Sequence, residues 1–147
     1  MNRSDINYYW IQKTDYSAEE FQVSSKEQAI NDFLKYDWQT ELKKYNESDD
    51  SLNCSTGFGL HDGLKDGTNF TTLLHICPID KNQVFFNLHY QVENKFLGIF
   101  KYKSNEIFYK NEVSYNDVIK IIGLFYDSNV ESIIIFFEEG ANITSSN

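Results

Sequence analysis

The sequence predicts an α+β fold, a mainly antiparallel meander sheet of four to six strands with one or two helices packed on a face. Three observations predict it. Residues 84–92 alternate apolar and polar side chains with a period of two. Residues 30–45 repeat apolar side chains every three or four positions. The connectors between strand-like segments are short, which suits antiparallel neighbours and is too little for parallel crossovers.

Residues 6–13 are rich in aromatic and branched side chains and read as a first strand. Residues 14–25 are polar and read as a loop. Ser24 and Glu27 then form a capping box, Ser24 at the N-cap and Glu27 at N3. A helix runs from there to about Tyr45, with Ile30, Phe33, Leu34, Trp38, Leu42 and Tyr45 as its apolar stripe. Asp32, Lys35, Gln39 and Lys43 form its outer face, and the segment 46–51 ends it in an acidic loop.

Strands dominate from Asn69 onward. Residues 69–77 pair with 83–92 through a hairpin loop at 79–82. Glu93 and Asn94 turn the chain into 96–103, and Ser104 and Asn105 turn it again into 106–110. Ser114, with Asp117 at N3, opens a second helix. Tyr115, Val118, Ile119, Ile122, Phe125 and Tyr126 share one of its faces, and Ile121 and Leu124 make another face apolar, so the helix is expected to be well buried. Residues 130–138 read as a strand from their β-branched content, with a short buried helix as the alternative, because so short an apolar run has no decisive period. The tail from Gly140 is expected to fray. One proline in 147 residues argues against a Pro-rich linker and for a single domain over 1–147.

Twelve Phe, ten Tyr and two Trp are too many for a disordered chain and supply a core without metal or disulfide. The apolar run 133–137 is far short of a membrane span. The N-terminal residues show no secretion signal, so Cys54 and Cys77 are expected to be reduced thiols in a cytoplasmic protein. Twenty-two acids against thirteen bases give a net charge of −9, which disfavours nucleic-acid backbones and anionic membranes as partners. The excess lies in the flanks. Residues 1–66 hold thirteen acids and seven bases, whereas 69–116 hold four and five. Solvation of the surface accounts for this as well as a cationic partner does.

Cys54, His61, Asp62, Asp66, His75, Cys77 and His89 form the most suggestive chemical set. His75 and Cys77 are two apart on a strand and share a face. Their spacing matches no zinc pattern, and no metal or cofactor is expected. With Leu73 on the same face, they read as the polar fringe of a core-facing strand. The enzyme alternative is a small enzyme of the 54–89 region, either metal-dependent through His61, Asp62, Asp66 and His75, or with Cys77 or Cys54 as nucleophile and His75 or His61 as base. The glycine-bearing segment 56–67 has neither a dinucleotide fingerprint nor a P-loop, and reads as a surface loop with turns at Gly63 and Gly67. Of Tyr8, Tyr9, Trp10, Tyr36 and Trp38, most belong to the core, with one or two exposed as interface anchors.

A short acidic domain, rich in Asn, Lys, Ile and Tyr, with a meander such as 84–90 followed by a capped helix, resembles the immunity proteins of bacterial polymorphic-toxin and contact-dependent growth-inhibition systems. The resemblance implies a tight complex with a cognate toxin domain, often a nuclease with a basic active site, and no catalytic residues in the inhibitor. An acidic surface for a cationic toxin is then expected on the first helix and its loop, at Asp32, Asp37, Glu41, Glu47, Asp49 and Asp50. A non-catalytic adaptor pairing through a sheet edge is the further alternative.

Overall fold

The computed structural model describes residues 8–47, 55–62, 70–96, 98–127 and 130–144. Its centre is a six-stranded antiparallel sheet in the order β2-β1-β3-β4-β5-β6. The strands are β1 (Tyr8–Gln12), β2 (Ala18–Gln22), β3 (Gly57–His61), β4 (Thr72–Pro78), β5 (Gln83–Phe96) and β6 (Phe100–Ser114). Four helices accompany it: α1 (Lys26–Lys35), α2 (Trp38–Glu47), α3 (Tyr115–Asp127) and α4 (Val130–Thr144). The predicted α+β class holds, with more helices than expected.

Residues 18–22 are strand β2 rather than loop. A turn makes the hairpin: Lys13 N–H donates to the Ser17 carbonyl (2.8 Å), and Tyr16 takes a positive φ of 66°. The capping box lies one residue later than expected. Ser25 Oγ accepts from Gln28 N–H, and Gln28 Oε1 accepts from Ser24 N–H at 3.0 Å. The long helix is two helices. Asp37 Oδ1 accepts from Thr40 N–H (3.1 Å) and starts α2, while Trp38 folds back so that its indole donates to the Phe33 carbonyl (2.7 Å). Periodicity survives such a break because Phe33, Trp38 and Leu42 all still face the core.

The 79–82 hairpin loop is as predicted, with Asp80 Oδ1 accepting from the N–H groups of Asn82 and Gln83. The expected turns at Glu93–Asn94 and Ser104–Asn105 are absent. β5 and β6 form one long hairpin whose turn includes Gly98, at φ 72°. Asn94 and Ser104 instead bond to each other across it (2.7 Å), beside an ion pair between Lys101 and Glu93. Polar pairs that look like turns are here the solvated rungs of a ladder. From Val92 to Ser104 this hairpin runs beyond the last residue paired with β4 and, among the described residues, has two strands.

Residues 130–138 belong to α4 (Val130–Thr144), not to a strand. Ile133 is buried, and the Phe137 ring lies 5.3 Å from Phe86 and 5.8 Å from Phe108. Residues spaced three and four apart cover the sheet there, so tertiary demand overrides β-branched preference.

One face of the sheet carries Tyr9, Ile11, Phe58, Leu60, Leu74, Ile76, Val84, Phe86 and Leu88, all in the core. Phe33, Trp38 and Phe137 meet that face from α1, α2 and α4, and α3 packs on α1 and β6. Each fully buried Phe on this face contributes roughly 1.5–3 kcal/mol relative to exposure. Among the described residues, no helix is long and apolar enough to cross a membrane.

Candidate functional site on the helix-free sheet face

Strand residues alternate between faces, so the partners of the core residues share the opposite face, which is helix-free among the described residues. Its registers form two rows across all six strands. The first is Glu20, Trp10, Gly59, His75, Asn87 and Tyr109. The second is Gln22, Tyr8, His61, Leu73, His89 and Ile107. His75 and Cys77 therefore lie on the helix-free face, and the reading that set them on the core-facing side is corrected. Their neighbours Leu74 and Ile76 are the ones that enter the core.

β3 is the element that builds the site. Residues 57–61 are a fully buried central strand rather than a surface loop. Phe58 and Leu60 point into the core, and glycine leaves the other face open at 57 and 59. Trp10 fills the space over Gly59: a Cβ there would meet the indole at 2.0 Å. His75 fills the space over Gly57, where a Cβ would meet Nε2 at 2.3 Å. The two rings stand side by side with centroids 4.9 Å apart. The expected turns at Gly63 and Gly67 lie outside the described residues.

Burial pushes the His75 pKa down to about 4, and the charge of His89 adds to the push. At neutral pH its ring is uncharged. Its Nε2 is 3.3 Å from Cys77 Sγ, and its Nδ1 is 3.5 Å from the Asn87 amide nitrogen. The Asn87 carbonyl oxygen is buried and has no hydrogen-bond partner among the described residues. His61, in the second row, is buried with Nε2 3.5 Å from Glu20 Oε1.

The chemical set named from the sequence is thus brought together only in part. His75 and Cys77 meet, and His89 stands in the neighbouring row of the same face. Asp62 instead pins the start of β4, accepting from the N–H groups of Thr71 (2.7 Å) and Thr72 (2.9 Å). Cys54 and Asp66 lie outside the described residues. Among the described residues, no group of three or more His, Cys, Asp or Glu is placed to hold a metal ion.

The acids expected to meet a partner are dispersed. Asp32 accepts from the Tyr9 hydroxyl (3.0 Å), and Asp37 caps α2. Glu41 is buried, facing Thr14 at 3.4 Å and Lys44 at 2.6 Å. Glu47 is exposed near Lys43 and lines a cleft of about 490 Å³ between α2 and the 79–82 turn, together with Leu42, Ile79, Asp80 and Lys81. Asp49 and Asp50 lie outside the described residues.

None of the five N-terminal aromatics is exposed: Tyr9 and Trp38 are buried and Tyr8, Trp10 and Tyr36 half-buried. Trp10 is among the candidate anchors, but its seat on Gly59 is not legible in the sequence, because a ring lying on a distant glycine leaves no local signature. The alternation of Gly57 and Gly59 with Phe58 and Leu60 was the available signal.

No protein-family model matches this chain, nor does any curated protein or solved structure.

Proposed function

We propose that this chain is a cytoplasmic, non-catalytic inhibitor of the immunity type, which binds a cognate toxin protein through the helix-free face of its sheet. The observation that supports it most is the first cross-strand row. Trp10 and His75 are held in place by the glycines beneath them and by each other, so little side-chain freedom is left to lose on binding. Tryptophan of this kind is the residue type most often found at the energetic centre of a protein interface. The net charge of −9 favours a cationic partner and speeds its approach.

The 3.3 Å separation of Cys77 Sγ and His75 Nε2 favours a second reading, thiol chemistry at the same face. A histidine held neutral is a poor partner for a thiolate, which ranks this reading second.

The test is co-expression with the protein encoded immediately upstream in the source genome, scored by growth and by co-purification. The proposal expects that neighbour to be toxic alone, and this chain to restore growth while forming a stable complex. Trp10→Ala should weaken the complex by about 2 kcal/mol or more, roughly thirtyfold in Kd. Cys77→Ala should keep protection, whereas its loss with binding intact would transfer the case to the thiol reading. A harmless or non-binding neighbour removes the immunity proposal.

A further inference from the structure

Among the described residues β6 is an edge strand of the sheet with no strand paired on its outer side, and much of the exposed apolar surface lies on it or beside it. Phe100 (64% exposed), Tyr102 (54%), Ile107 (59%) and Tyr109 (63%), with Ile99 (78%) in the turn just before the strand, are half of the ten exposed large apolar or aromatic side chains among the described residues. The opposite edge, β2, offers five residues, with Glu19 exposed on it. Long, flat, apolar edges invite pairing with another strand, and native proteins usually blunt them. β6 is blunted at one end only, where Glu112 takes a positive φ of 58° next to the register shift at Val84 and Phe86. Residues 100–110 pair with β5 without interruption of their own alternation.

We propose that β6 pairs antiparallel with β6 of a second copy about a two-fold axis at Asn105, joining the two sheets into one. The chemistry of residues 100–110 reads as its own complement about that centre. On the helix-free face, Lys101 meets Tyr109, Lys103 meets Ile107, and Asn105 meets Asn105 of the second copy. On the helix side, Phe100 meets Lys110, Tyr102 meets Phe108, and Ser104 meets Glu106. No like charges stand opposite each other, an aromatic pair forms, and lysine stems lie over apolar partners with their amines in solvent. The isologous contact closes on itself and leaves β6 no free edge to extend.

Neighbouring registers are worse. An axis at Glu106 sets two glutamates face to face. An axis at Ile107 drives the partner's Tyr102 against the bulged Glu112, and an axis at Ser104 leaves Phe108 as the last residue paired. The edge lysines thus select the register rather than forbid pairing. A foreign strand would need to copy this pattern, whereas a second chain carries it already.

Sedimentation equilibrium on the full chain tests the proposal, with Ile107→Lys and Ile107→Glu as paired variants. Both alter one exposed position and leave the core untouched. Wild type should sediment at twice the 17.3 kDa chain mass. Ile107→Lys sets two lysine pairs at the axis, and the dissociation constant should rise about tenfold or more. Ile107→Glu meets Lys103 and should leave the dissociation constant close to that of wild type. In a Cys54→Ser background, Asn105→Cys should cross-link on oxidation and Asn116→Cys should not. A wild-type monomer, equal weakening by both charges, or a dimer in which Asn105→Cys fails to cross-link would each overturn the pairing.

Discussion

The imidazole of His75 lies over Gly57 and beside Trp10, and burial there lowers its pKa from an ordinary 6.5 to about 4. The unfolded chain holds this histidine at its ordinary value, so between pH 6.5 and 4 the unfolded state binds the extra proton. Stability should therefore be complete above pH 6.5 and fall as the pH drops towards 4, by up to ~3 kcal/mol from this group. Urea unfolding of wild type and His75→Gln at pH 7 and pH 4.5 measures it: the variant should lose less on acidification, and an equal loss would assign the slope to other groups. The carboxylates show how far a sequence is readable at this scale. That Asp32, Asp37 and Glu41 are charged and near a helix was visible. That Tyr9, Thr40 and Thr14 come to occupy their oxygens was not, because two of those three partners are more than twenty residues away.

Strand β3 has glycine where a central strand ordinarily has a side chain, and Trp10 of β1 supplies the missing surface. Gly59→Ala should displace that indole and destabilise the fold by roughly 1–3 kcal/mol. In the Trp10→Ala background the same substitution should be nearly neutral, since the clashing ring is gone. Additive effects in the double-mutant cycle, read by urea unfolding, would show that the glycine serves another purpose. The same pairing explains which elements were legible. β4, β5 and α3 announce themselves through period and capping residues. β3 does not, because half of its alternation is absence of a side chain. α4 was misread because Ile133 to Phe137 have strand-like composition and helical spacing at once. The core side of the sheet was readable from alternation. The helix-free side, where the candidate site lies, depends on which strands become neighbours.

At the scale of the whole molecule, charge and surface are divided. The described β5–β6 hairpin carries Lys95, Lys101, Lys103 and Lys110, while acids prevail over the N-terminal half. If a cationic toxin is the partner, its association rate should fall by about tenfold as salt rises from dilute to several hundred millimolar. Replacing Glu47, Asp49 and Asp50 by their amides should slow association and flatten that dependence in stopped-flow measurements. Unchanged kinetics would remove the α2 end from the encounter surface and leave the sheet face alone. The strand order has a consequence of a different kind. β4, β5 and β6 join neighbours in sequence, and β1 meets β2 through a tight turn, so their loop-closure entropies are small. The β1–β3 pair alone must span α1, α2 and the acidic segment after them. The chain is thus expected to assemble from two locally closed parts, a β1–β2 hairpin and a β3–β6 meander, with the docking of β1 on β3 as the slow event, the step that also lays Trp10 on Gly59.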